Sequence, residues 1–397
     1  MPVLENIGML AACRAEGGQS EIHAIPSAAL AWKGERIEWV GPQSELPTEL
    51  RNELRIDAFG GLVIPGLVDC HTHLAFGGWR SDEFEMRIRG KSYLEIARDG
   101  GGILSTVRKT RASSHADLIE RGLGFLKEMT KVGVTTVECK SGYGLDLQNE
   151  IKQLEVYRRL SGLQPCRIVP TFLGAHAVPP EYDGNRRGYL ESVCSEMIPR
   201  IAAEKLARFC DVFVEAGAFT LEEGRSVLET GKEHGLAPRI HADQFSDGGG
   251  ALLAAEVGAI SADHLEHASA KGRGAMASRG VLAVSLPLAS LYLNQPALDA
   301  RKWIEEGVRV AVATDFNPGS APSNQLPLVM WLACHLQRMT PNEVLKGATV
   351  IAAEVVQMQR DIGSLEAGKL ADFAVVEAPD VRQWMYHFRE QSVVQTY

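Results

Sequence analysis

The run His71-Thr72-His73 ends an apolar stretch and sets two imidazoles two positions apart. In an extended strand, side chains at i and i+2 point the same way, so both rings can face one ion. Alone, such a pair is usually ordinary packing. His241 and Asp315 also follow apolar runs, and with the pair they can complete three nitrogens and one carboxylate oxygen. That set suits one Zn²⁺ or Fe²⁺ per chain and leaves a position for water. The ion would lower the pKa of that water toward neutrality and so make hydroxide available. His264 closes a further apolar run, and beside the ion it is read as a proton shuttle rather than a buried structural histidine. Arg80 lies in the loop Phe76-Gly77-Gly78-Trp79-Arg80, from which a guanidinium can clamp a carboxylate with two parallel hydrogen bonds.

Something must bring these scattered residues together. Eight apolar, β-branched segments recur with helical patterns between them: 62–70, 134–139, 167–173, 211–215, 238–242, 260–265, 281–286 and 308–314. This alternation predicts an α/β fold, a (β/α)₈ TIM-like barrel. Such a barrel carries its chemistry at the C-terminal strand ends. The residues there are, in order, His71 and His73, Lys140 and Tyr143, His176, Glu215, His241, His264, Pro287 and Asp315. In one interval, Ser246 or Asp247 is expected to cap a helix through Ala251–Val257, with Gly258 ending it. The two chain ends read differently. A hairpin is expected from 28–32 and 36–40, and a strand at 373–376, which together predict a small β-sandwich domain. The expected division is residues 1–60 with 360–397 for that domain, and 61–359 for the barrel.

The chain has 397 residues, 45% hydrophobic and 23% charged, which excludes wholesale disorder. Its net charge of −9 argues against a nucleic-acid partner and requires that any anionic small-molecule substrate meet a local cation. Seven cysteines with no C-x-x-C pair suit reduced thiols and a cytoplasmic location. No secretory signal and no membrane span is expected. The glycine stretches 99–102 and 247–250 match no phosphate-binding fingerprint and are read as loops that start helices. No Gly-x-Ser-x-Gly elbow occurs, and Cys70 should face away from its neighbour His71.

The strand 65–73 with His241, His264 and Asp315 resembles the metal-dependent amidohydrolase superfamily. Longer runs resemble one family within it, the imidazolonepropionases: 76–107, ECKSGYGLDLQNEIK at 138–152, TFLGAHAVPPEY at 171–182, HADQF at 241–245, SADHLEH at 261–267 and TDFNPGSAPS at 314–323. The resemblance implies hydrolysis of 4-imidazolone-5-propanoate to N-formimidoyl-L-glutamate. It implies His71, His73, His241 and Asp315 as metal ligands, and His264 and Asp315 as catalytic groups. It further implies Arg80, Tyr143, His176, Gln244, Asn317, Gly319 and Ser320 as substrate contacts. Glu215 stands where two-metal relatives often carry a lysine, which favours a single ion. The competing readings are a related cyclic-amide hydrolase or aminohydrolase, such as a guanine deaminase, and, more distantly, an inactive barrel scaffold. A homodimer is the default assembly.

Overall fold

The structure is a computed structural model and describes residues 1–91, 95–96, 100–387 and 392–397. Asp99 of the stretch 99–102, and Phe388, Arg389 and Glu390, lie outside the described residues. The strands in chain order are β1 (Pro2–Ala11), β2 (Ala24–Lys33), β3 (Arg36–Pro42), β4 (Leu54–Asp57), β5 (Leu62–Pro65) and β6 (Leu67–Asp69), then β7 (Val134–Lys140), β8 (Arg167–Ala175), β9 (Phe209–Val214) and β10 (Ala237–Ala242). They continue with β11 (Ser261–His264), β12 (Leu282–Ser285), β13 (Val310–Val312), β14 (Phe373–Val376) and β15 (Val393–Thr396).

Strands β6 to β13 form one sheet in sequence order, every pair parallel, with helices in the connections. The sheet curls until its ends meet. Thr72 and Phe316 make a parallel bridge, the Asp315 N–H donates to the His71 carbonyl (3.0 Å), and the His73 N–H donates to that of Phe316 (2.8 Å). Asp69 fastens the same seam by accepting from the Thr314 amide (3.1 Å) and hydroxyl (2.6 Å).

The remaining strands form a mixed seven-stranded sheet, ordered β15-β14-β5-β1-β2-β3 with β4 beside β1, so both chain ends contribute to it. Its shared strands show the period of two. Leu62, Ile64, Ala374 and Val376 pack into the barrel core, whereas Val63, Phe373 and Val375 pack into the sheet's own core. The expected hairpin is present, with Ala31 opposite Trp39.

The run 62–70, read as one barrel strand, is two. Residues 62–65 pair with β1 and β14, and only 67–69 pair with β7. The break is at Gly66, whose N–H turns to the Asp372 carbonyl (2.9 Å). A Cβ there would lie 2.3 Å from the Thr135 hydroxyl oxygen, so the chain can pass between the two sheets only as glycine. The helix Gly250–Val257 ends at left-handed Gly258 as expected, but neither Ser246 nor Asp247 caps it. Asp243 does, accepting from the amides of Gly248, Gly250 and Ala251 at 2.9–3.0 Å. It can do so because its own backbone is left-handed (φ 52°), which turns the carboxylate back over the helix start.

Burial raises the Asp69 carboxyl to about 7, with its bonds to Thr314 opposing the rise. The sign follows from linkage: a raised carboxyl contributes stability that is full below about pH 4 and lost as pH rises through about 7. Asn can keep both seam contacts without an ionising group. Asp69→Asn should therefore gain stability over wild type as pH rises from 4 to 8, by up to a few kcal/mol. Thermal unfolding of the metal-free proteins across that range checks it; a difference that does not grow with pH would refute it.

Candidate metal centre and active site

The strand ends converge as the barrel requires. His71, His73, His241, His264 and Asp315 are all buried, with no residue more than 3% exposed. Their ligand atoms form two overlapping groups that share His71, one with His241 and His264, the other with His73 and Asp315; within each group all atoms lie within 4.8 Å. The Asp315 carboxylate is 3.4 Å from His71 Nε2 and 3.5 Å from His73 Nε2. The His71 and His241 rings are 4.6 Å apart, and those of His73 and His241 are 5.6 Å apart.

The chemistry of the donors tests whether a cation fits. His71 holds Asp263 through Nδ1 (2.6 Å), and His241 holds Asp211 through Nδ1 (3.1 Å). Each carboxylate must accept an N–H from its ring, which fixes the tautomer and leaves a lone pair on Nε2. The Nε2 atoms of His71 and His241 are buried and without a hydrogen-bond partner, as is Nδ1 of His73. Buried polar atoms are seldom left so. Burial first, then neighbouring positive charge including Lys140, lowers the His71, His73 and His264 pKa values well below the ordinary range. Neutral, oriented and unpaired imidazoles beside a carboxylate are what a divalent cation needs.

Beneath these ligands lies a layer that the sequence reading passed over. Lys140 Nζ contacts Glu138 (3.0 Å), Asp211 (2.9 Å) and Asp263 (3.7 Å), and Arg239 contacts Asp263 (2.7 Å) and Glu138 (3.2 Å). All five side chains are fully buried. Burial alone would raise the carboxyls of Asp211 and Asp263, but His241, Lys140 and Arg239 outweigh it and hold them below the ordinary range. A signal existed: Glu138 and Arg239 lie two residues before the strand-end residues Lys140 and His241, hence on the same strand face. Lys140 was singled out by position alone, and its partners were not.

The expected substrate contacts surround the cluster. His176 stacks on His73 at 5.2 Å and bonds the Gly142 carbonyl through Nδ1 (3.0 Å). Burial, with His241 nearby, pushes it down to about 3, so it is neutral. The Tyr143 ring is 5.6 Å from that of His73 and 5.5 Å from that of His176. Gln244 is buried in the loop after β10. Asn317 spends its amide on its own loop, donating to the Asp315 carbonyl (2.6 Å) and accepting from the Gly319 and Ser320 amides (both 2.8 Å). Arg80 is not a solvated loop charge. Its side chain is 7% exposed, it precedes the helix Ser81–Ile88, and a Cβ at Gly319 would lie 1.0 Å from its Nη2. Glycine at 319 is what lets the guanidinium lie against that loop. The Nε and Nη1 atoms are buried without a hydrogen bond, and Glu83 is 3.7 Å away.

Two further carboxylates stand near. Glu215 does not join the ligand groups; it accepts from the Phe245 amide (2.8 Å) and the Ser246 hydroxyl, and so pins the loop that carries Gln244. Glu266 accepts from Ser290 (2.8 Å), lies 3.9 Å from His264 Nδ1, and is pushed up to about 7 by burial. Non-glycine residues with left-handed backbone mark the same end of the barrel: His264 (φ 76°), Leu265 (φ 72°) and Asp315 (φ 54°). Such strain collects where side chains must be aimed against backbone preference.

Residues 194–397 match the model of the amidohydrolase family. The imidazolonepropionase of Symbiobacterium thermophilum is 49% identical over 368 residues, covering 91% of this chain and 87% of the relative. That of Geobacillus thermodenitrificans is 51% identical over 353 residues, covering 88% and 83%. Among solved structures, E. coli guanine deaminase superposes with a TM-score of 0.77 at 17% identity, over 100% of this chain and 98% of that one. A 5-methylcytosine deaminase from Klebsiella pneumoniae gives 0.76 at 16%, over 100% and 95%. At these identities the structural likeness is one of fold, and the sequence relatives carry the finer statement. With a closed barrel, an inward-facing set of histidines and one aspartate, and relatives near half identity over most of its length, the chain belongs to the amidohydrolase family and, within it, to the imidazolonepropionases.

Proposed function

We propose that the enzyme hydrolyses the ring amide C–N bond of 4-imidazolone-5-propanoate to N-formimidoyl-L-glutamate, a step of histidine degradation. Arg80 carries this reading. It is a nearly buried guanidinium with two nitrogens lacking hydrogen bonds, on the lip of a site lined by histidines. A propanoate tail supplies the hydrogen-bond acceptor that those two nitrogens lack.

One divalent ion, zinc or iron, would be held by His71, His73, His241 and Asp315. Bound there, such an ion supplies a water acidified toward neutrality and an electrophile for the ring carbonyl. Asp315 takes the proton from the attacking water. His264 steadies the oxyanion that forms at the former carbonyl and moves the proton taken up by Asp315 on to the leaving ring nitrogen. Position 244 is Gln, an amide that cannot take a proton, so the proton work falls to Asp315 and His264. Tyr143, His176 and Gln244 orient the ring. Asn317, Gly319 and Ser320 shape the side of the pocket against which Arg80 rests. No helix among the described residues is long and apolar enough to cross a membrane. We further assign the enzyme to the cytoplasm, in keeping with its seven free thiols, and to a homodimer, the commonest assembly of such enzymes.

Three measurements test this reading. Elemental analysis should find about one divalent ion per chain, and two tightly held ions would refute the single-ion arrangement. His264→Ala should keep its ion and lose on the order of 10²–10⁴-fold in kcat. Loss of the ion, or full turnover, would show that the role is wrong. Arg80→Met should keep its ion while kcat/KM falls by roughly 10–100-fold, mostly through KM. A fall of less than about threefold would leave Arg80 without a part in recognition.

A further inference from the structure

The helix Ser81–Ile88 starts immediately after Arg80, yet it buries none of its own residues. A clamp needs a fixed base, and this helix has no apolar face in the core to supply one. Its fixed points are elsewhere. Phe84, 48% exposed, stacks on Tyr292 with centroids 5.8 Å apart and planes at 18°. From the next turn Arg87 places its guanidinium over the same ring, 4.4 Å from the centroid, and donates to the Gly319 carbonyl (3.3 Å). Tyr292 ends the helix Pro287–Tyr292, whose residues 287–290 are buried at the end of β12. The ring is therefore anchored in the barrel on one side and gripped by the lip helix on the other. On the far side of the lip, Glu83 accepts from the Gly102 amide (2.9 Å), and Lys109 bonds the Trp79 carbonyl (2.8 Å).

We infer that Tyr292 is a positioning residue for substrate selection: its ring seats Phe84 and Arg87, and through the helix they share it holds Arg80 against Gly319, where the substrate carboxylate is read. The inference rests on the proposed role of Arg80. Tyr292 touches no reacting atom. It governs how well the enzyme distinguishes a substrate with an acidic tail from one without.

The two ring contacts together amount to about a tenfold change in an equilibrium constant. Their loss removes the ring seat of the lip helix, leaves the polar contacts of Glu83 and Lys109 to hold it, and loosens the placement of Arg80. The experiment measures kcat/KM on 4-imidazolone-5-propanoate and on the same ring bearing a methyl group in place of the propanoate, for wild type and variants, with metal content and melting temperature recorded alongside. Tyr292→Ala should lower the ratio of the two values by about tenfold, moving it toward that of Arg80→Met, chiefly through the KM of the acidic substrate. Tyr292→Phe, which keeps both ring contacts, should stay within about threefold of wild type. If Tyr292→Ala does not fold, Phe84→Ala removes one contact from an exposed position and should shift the ratio in the same direction by a smaller factor. A ratio unchanged in Tyr292→Ala and Phe84→Ala, with Arg80→Met still lowering it, overturns the positioning role alone. A ratio unchanged in Arg80→Met overturns the reading of Arg80 and this inference with it. Equal loss in Tyr292→Phe and Tyr292→Ala also overturns it, since the ring contacts would not be the cause.

Discussion

The closure of the barrel between its first and last strands is the constraint on which the site depends. A parallel sheet that ended at β13 would leave an edge, and its ligands would hang from separate loops. Here the closing hydrogen bonds are made by the segments that carry the proposed ligands: the Asp315 amide reaches the His71 carbonyl, and the His73 amide reaches that of Phe316. The spacing between two imidazoles and a carboxylate is thus set by inter-strand pairing, which varies far less than loop geometry. The left-handed backbone at Asp315 belongs to the same arrangement, because it turns the carboxylate toward the histidines while its amide still pairs.

The layer of buried charge beneath the ligands is best understood by asking what it does not do. Burying Glu138, Asp211, Asp263, Lys140 and Arg239 costs desolvation free energy that their mutual attraction roughly offsets, so stability is a poor reason for it. Orientation is a better one. Asp211 and Asp263 each hold one ligand imidazole by Nδ1, and Lys140 approaches both carboxylates. Rings from the segment after β6 and from β10, far apart around the sheet, are tied through one ammonium. An apolar replacement could fill the same volume but could not choose a tautomer.

The barrel was legible in the sequence because its strands are largely apolar and β-branched and their ends carry polar residues of unusual type. The five residues at the centre were legible for the same reason. The misreadings have local causes. The run 62–70 is apolar up to Val68, so periodicity could not show that it changes sheets at Gly66; that depends on Asp372 and Thr135, distant in the chain. The cap on the helix after β10 was missed because Asp243 lies seven residues before that helix and reaches it only through a left-handed turn. The charged layer was missed because burial, which gives a charged residue its meaning here, is a property of the closed barrel. Glu138 in an open strand would be a solvated side chain.

A remaining asymmetry is that the proposed ion site is built from the most buried part of the chain and the proposed tail-reading group from one of the least. The two tasks differ in what they require. An ion stays bound through many turnovers, so its ligands gain from rigidity, and backbone pairing provides it. A substrate must enter and its product must leave across the same lip, so the group that reads its far end cannot be locked in the core. Arg80 meets both demands by being nearly buried itself while rooted in an exposed helix. Its guanidinium lies against the backbone of Gly319, only four residues beyond the ligand Asp315. In the proposed reading, a loop that starts at the barrel seam therefore sets the distance between the reacting ring and the carboxylate that Arg80 would hold, and places both ends of the substrate in one frame.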